Sequence, residues 1–285
     1  MSAPTAVLFD VPGPRAKARN TAAGVVTLLV LAALVAVIIW RLAATGQLDA
    51  RAWEWILYEN VQLALLDGLV NTLRAFASGA VLALILGALL ALGRLSDQKW
   101  LRSLSTWVVE LFRAVPLVVL MFLFYYGMPS VGITVSTYAA VVLGLTLYNG
   151  AVLAEVFRAG VLAVPRGQSE AAYALGLRKS GVMRFVLLPQ AVRSMLPAIV
   201  SQLVVLLKDS ALGFLITYPE LLFQAQFLGS NATLGSPLIP VAMVVAVIYI
   251  ALCLLLSAFA SWLERRTRRN PAVLTVAPTE RPDDA

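Results

Sequence analysis

The residues able to do chemistry are few, and most of them are charges set inside apolar runs. Glu110 with Arg113 and Glu155 with Arg158 are acid–base pairs three residues apart, a spacing that puts both members on one helical face. Arg74 and Lys208 have no acidic residue at helical spacing in their own runs. Asp209, next to Lys208, points about 100 degrees away around a helix. Bond chemistry is poorly provided for. The chain has no histidine, its one cysteine (Cys253) lies in an apolar run, and no nucleophile–base pair or carboxylate dyad stands out. No catalytic residue and no metal ligand set is expected. What these charges can do is pair with one another or meet a charged solute. Mutual neutralisation or an intersubunit contact suits Glu110–Arg113 and Glu155–Arg158. A cationic lining for an anionic solute is open to Arg74 and Lys208, beside snorkelling for Arg74 and a cross-helix ion pair for Lys208.

A second polar feature is not intramembrane at all. Pro165 to Pro197 reads PRGQSEAAYALGLRKSGVMRFVLLPQAVRSMLP and separates two strongly apolar segments. Arg166, Arg178, Lys179, Arg184 and Arg193 would each be costly in hydrocarbon, so the stretch is a structured cytoplasmic loop and a contact surface for another protein. Ala171 and Ala172 are small enough for a helix to approach a partner closely, and Glu170 can reach a basic group. Gly176 can adopt the left-handed conformation that ends a helix, letting the chain turn into a second short one.

The elements that position these residues follow from hydropathy. The 285 residues are 60% hydrophobic and 13% charged, against roughly 25% charged in a soluble domain, so the chain is a polytopic membrane protein. Asn20–Trp40 is uncharged and long enough to cross a bilayer, and its length favours an uncleaved span over a signal peptide. An outer loop follows from Gln47 to Asp67, lying along the interface through Trp53, Trp55 and Tyr58. The second span runs from about Leu69 to Gly93, with Ala75, Gly79, Ala83, Gly87 and Ala91 forming a small-residue face suited to packing another helix. Gly127, Pro129 and Gly132 divide the uncharged stretch after Arg113 into a third and a fourth span. The fifth begins near Met195 and carries Lys208-Asp209 roughly midway. The sixth runs from about Leu238 to Leu263, after an outer segment containing Pro219, Glu220 and Pro237.

This gives an all-α protein of six transmembrane helices. Residues 1–19 are a disordered tail, 20–67 the first helix and outer loop, 68–264 the core with its loop at 158–194, and 265–285 a basic then disordered tail. The net charge of +7 does not indicate nucleic acid, because the basic residues flank apolar runs. The tails and two even loops hold most of them, while Arg41 and Arg51 fall on the other side, so both termini are cytoplasmic.

The Pro165–Pro197 stretch resembles the EAA loop of ABC-transporter permeases, the membrane subunits of bacterial binding-protein-dependent importers. Glu170-Ala171-Ala172, Gly176, Leu188 and Pro189 stand at the family's spacing, with Val186 where the family usually carries isoleucine. Residues 108–129 (VVELFRAVPLVVLMFLFYYGMP), 148–176 (YNGAVLAEVFRAGVLAVPRGQSEAAYALG) and 206–213 (LLKDSALG) resemble the polar-amino-acid branch, the importers of glutamate, arginine, histidine and glutamine. The likeness spans about Gly68 to Leu263 and leans towards actinobacterial glutamate uptake. It implies the type I importer permease fold in a bacterial plasma membrane. It implies docking of Glu170, Ala171, Ala172, Gly176, Leu188 and Pro189 on a cytoplasmic ATPase homodimer, a second similar permease or a copy of this chain beside it, and a substrate-binding protein outside. It makes Arg74, Lys208 and Asp209 candidates for the substrate pathway. ATP and magnesium belong to the ATPase, since this chain has no phosphate loop: Gly176-Leu-Arg-Lys-Ser-Gly181 is followed by Val182. The rival is a secondary transporter driven by an ion gradient, which would need paired carboxylates near the midplane.

Overall fold

Pro14 opens the first helix, where a missing N–H costs nothing and a fixed φ is already helical. This helix, α1 (Pro14–Ala44), starts six residues before the expected Asn20, so Arg15, Lys17 and Arg19 lie on its first turns and not in a tail. The computed structural model describes residues 13–268, so most of the expected N-terminal tail and nearly all of the C-terminal one lie outside the described residues. Every described residue in regular structure is helical. No residue of α1 is buried. A helix apolar all round, with no described neighbour to cover it, needs lipid or another subunit around it.

The expected outer loop is shorter and more ordered than its polarity suggests. A 3-10 helix covers Ala50–Leu57, and Trp55 is buried with Val61, Leu65, Leu221 and Ala225. The long helix α2 (Glu59–Arg94) therefore begins ten residues before Leu69, with Glu59 favourably placed in its first turn and Asp67 already inside it.

The small-residue face of α2 is covered from within the chain, and does not await a second permease. It packs on α5 (Thr137–Leu162). A Cβ built on Gly79 would stand 3.1 Å from Leu145, and one on Gly87 would meet Leu153 at 2.9 Å and the Gly150 carbonyl at 3.0 Å. Backbones approach so closely here only because those side chains are absent.

Between them the third span is not a straight helix. The amphipathic α3 (Lys99–Ala114) and α4 (Leu117–Phe122, continued by wider and tighter helical turns to Val131) meet at 97°. Pro116 forces the bend: it excludes the helical region for Val115, which is extended at φ −89°, ψ 126°. Glu110 and Arg113 thus lie on α3, ahead of the bend, rather than on a continuous span. Ser136 caps α5, its hydroxyl accepting from the Ala139 N–H at 3.2 Å.

After α5 come α6 (Arg166–Ala174), the single turn α7 (Lys179–Gly181), a wide turn over Val182–Leu187 and then α8 (Leu188–Asp209). The loop proper is 163–187, because 158–162 finish α5 and 188–194 open α8. Lys208 and Asp209 end α8 and do not stand midway along it; a 3-10 helix, Ser210–Ile216, follows. The outer segment contains a further helix, α9 (Leu221–Gly229), before α10 (Leu238–Arg268). Five helical stretches are long and apolar enough to cross a membrane, and six if the bent α3–α4 pair counts as one span.

Candidate functional sites

The candidate coupling element is built on one backbone reversal. Gly176 has φ +79°, its N–H donates to the Tyr173 carbonyl at 2.9 Å, and the Leu177 N–H donates to the Ala172 carbonyl at 3.2 Å. These two bonds satisfy the last carbonyls of α6 and turn the chain towards α7. The six residues grouped by sequence spacing divide here. Glu170, Ala171 and Gly176 are exposed, whereas Ala172 is buried as α6 packs on the Val182–Leu187 turn. Leu188 lines an apolar crevice with Ala91, Phe157 and Met195, and Pro189 opens α8. Only Ala171 of the alanine pair therefore remains free to meet a partner.

Three residues that spacing did not single out complete the surface. Tyr173, Leu175 and Phe185 are exposed, Leu175 to 84%. Large apolar side chains on a polar, basic element outside the spans mark a contact face. The signal was available in the sequence as apolar residues between charges, but without the backbone their direction was undefined.

At the inner end the two expected ion pairs form, and Arg94 joins them. Arg158 donates through Nε to Glu155 at 3.2 Å and through Nη2 to its other oxygen, and Arg113 lies 3.5 Å from Glu110. Arg94, at the end of α2, donates to Glu155 at 2.7 Å and approaches Glu110 at 3.7 Å. Its side chain is only 11% exposed. Three helices thereby share five charges beside the coupling element, and Lys179 of α7 pairs with Asp97 of the α2–α3 turn. Arg94 looks in sequence like a simple marker of the inner interface, and only the fold brings it against two carboxylates.

The three candidate pathway charges are not brought together. Arg74 is exposed on α2, its guanidinium 4.8 Å from the centre of the Tyr138 ring, and the Tyr138 hydroxyl is 2.7 Å from that of Ser78. Lys208 is exposed in an apolar groove against α10, lined also by Leu222, Ala246 and Cys253, and among the described residues no acidic group lies within ion-pair distance. Asp209 faces the other way, into a cavity of about 470 Å³ at the α3–α4 bend, with Pro116, Tyr148 and Gln202. Gln202 donates to the Asn149 side-chain carbonyl at 2.7 Å. The Asn149 amide nitrogen is buried on the Asp209 side of this cavity and, among the described residues, has no partner at full hydrogen-bond geometry. Asn149 and Gln202 are candidate pathway residues that sequence reading missed, since an amide in an apolar run reads as ordinary interhelical glue.

The chain matches the family described as binding-protein-dependent transport system inner membrane component over residues 79–269. It is 41% identical over 235 residues to the glutamate transport system permease protein GluD of Corynebacterium glutamicum, covering 81% of this chain and 85% of that one. It is 34% identical over 210 residues to the probable glutamine ABC transporter permease protein GlnP of Bacillus subtilis, covering 73% and 96%. Among solved structures it resembles an amino acid ABC transporter crystallised with histidines, at a TM-score of 0.67 and 32% identity, over 72% of this chain and 94% of that one. Nothing in these likenesses supports a secondary transporter driven by an ion gradient. With the bent third span, the polar loop between α5 and α8 and these relatives in agreement, the chain belongs to the inner-membrane components of binding-protein-dependent ABC transport systems.

Proposed function

We propose that this chain is the translocation subunit of an ATP-driven importer of polar amino acids, with glutamate as substrate. It works in a bacterial plasma membrane with both termini in the cytoplasm, beside a second similar permease or a copy of itself. A separate ATPase homodimer binds ATP and magnesium, and an extracytoplasmic binding protein delivers the solute. This chain does no bond chemistry.

The observation that carries the reading is the exposed apolar set Tyr173, Leu175 and Phe185 around the left-handed Gly176 turn, a face that no described residue of this chain covers. ATPase closure pushes on this face. The push reaches the spans because Lys179–Asp97 and the Arg94 network tie the loop region to α2, α3 and α5. The solute crosses at the α3–α4 bend, where a cavity of about 470 Å³ falls within the usual range of about 300–1,000 Å³ for small-molecule sites. Asp209, with the Asn149 side chain beside it, suits the ammonium group of an amino acid. Arg74 and Lys208, neither engaged by an acid, attract anionic solutes towards the pathway. Outward and inward openings alternate, and the solute shifts them only through differential affinity.

Uptake of labelled glutamate into vesicles holding the full complex tests the proposal. Uptake is expected to require ATP on the cytoplasmic side and the binding protein on the other. Full gradient-driven uptake by this chain alone would refute it.

A further inference from the structure

Glu220 is fully buried, and among the described residues no cation lies within ion-pair distance of it. Its carboxylate instead accepts three hydrogen bonds: from the Leu222 N–H at 2.8 Å, the Phe223 N–H at 2.7 Å and the Tyr249 hydroxyl at 2.6 Å. The first two donors are the otherwise orphaned amides that begin α9, and the third comes from α10. The same short segment is clamped to α2. The Leu221 N–H donates to the Thr72 hydroxyl at 3.1 Å, the Asn71 amide donates to the Pro219 carbonyl at 3.0 Å, and the Tyr218 hydroxyl donates to the Asn71 carbonyl at 2.9 Å. Beneath it Gly68 leaves no slack: a Cβ there would stand 3.1 Å from the Leu221 Cα. Thr217, just before, is held in the left-handed region at φ 61°, which a β-branched residue adopts only where its surroundings impose it.

We propose that Glu220 is a positioning residue that binds α9 to α2 and α10, so that these three elements move as one body when the transporter opens and closes. Sliding α9 along either neighbour would leave a buried carboxylate and its donors without these hydrogen bonds. The outward-facing α9 is thus part of the wall and not a hinged flap. The α9 and α10 side of the groove that holds Lys208 belongs to this body, since Leu222 and Tyr249 line it and both bond Glu220. This inference rests on the transporter family and not on the identity of the solute.

Spin labels on Leu66→Cys in α2 and Phe227→Cys in α9, both exposed positions, test it in a Cys253→Ser background. Distances are measured by electron paramagnetic resonance on the full complex, nucleotide-free and with ATP trapped. They are expected to agree within about 2 Å, the scale of ordinary helix shifts, and a larger displacement overturns the proposal. Glu220→Gln and Thr72→Val remove the clamp from opposite sides. Each is expected to broaden the distance distribution and to lower solute moved per ATP hydrolysed by roughly threefold or more, with basal hydrolysis retained. Unchanged width and unchanged stoichiometry in both variants would overturn the role given to Glu220. Failure of glutamate uptake with the distances still invariant would count against the proposed substrate alone.

Discussion

Gly176 carries the reversal of the coupling element on one backbone angle, and the space around it is open: nothing lies within 4 Å of a Cβ built there. The penalty for a side chain at this position is therefore conformational and not steric. Left-handed backbone costs an L-residue roughly 1–2 kcal/mol, less for asparagine than for a β-branched residue. Gly176→Val is expected to lower ATP-dependent uptake by about tenfold at normal abundance, while Gly176→Asn keeps most of it. Equal uptake by the two variants would show that the turn does not set docking. Lys208 is the sharper case among the candidate pathway charges. No carboxylate depends on it among the described residues, so Lys208→Met strands no buried charge, and complex yield should hold. Uptake of glutamate should fall by roughly tenfold, the order of one hydrogen bond to a charged group. Loss of yield with unchanged uptake per complex would make the lysine structural.

The element that everything else leans on is the α2–α5 pair. Their contact runs through Gly79 and Gly87 against Leu145, Leu153 and the Gly150 carbonyl, and at Gly87 the opposing atoms include backbone that cannot rotate away. Gly87→Val must push the helices apart and is expected to destabilise by about 1–3 kcal/mol, lowering the thermal midpoint of the detergent-solubilised protein. Gly167→Ala on α6, where a Cβ meets nothing within 4 Å, is the control and should be neutral or slightly stabilising. A midpoint equal to that of the unaltered protein for Gly87→Val would mean that α2 and α5 are looser than their spacing indicates. The ends of the same pair nearest the α5–α8 loop are joined by Arg94 and Glu155, and Arg94 also approaches Glu110 of α3.

At the scale of the whole molecule, the distribution of lysine and arginine sets the sidedness of the bundle. Ser230 and Arg178, both exposed, should stand on opposite faces. In a Cys253→Ser background, Ser230→Cys is expected to react with an impermeant thiol reagent added to intact cells, and Arg178→Cys only after the membrane is opened. The reverse pattern would overturn the topology and, with it, the docking of α6. The first helix stands apart: none of its residues is buried, and the family match begins only at residue 79. Contacts within the described chain do not require it, which leaves lipid or a neighbouring subunit to cover it.

Sequence alone determined the membrane class, the reversal at Gly176 and the pairing of Glu110 with Arg113 and Glu155 with Arg158. Each of these rests on composition or on contacts within a few residues, and such information is local. The tertiary structure decided what depends on distant segments meeting. It placed Arg94 against two carboxylates, closed the small-residue face of α2 on α5, and sent Arg74, Lys208 and Asp209 to three separate places. It also buried Glu220, which reads as a polar residue of an outer loop until Tyr249 and Thr72 are seen beside it. Charges and amides in a membrane protein are legible as unusual from sequence, because hydrocarbon penalises them. Their partners are not, because those partners come from helices tens of residues away whose rotation is fixed only by packing.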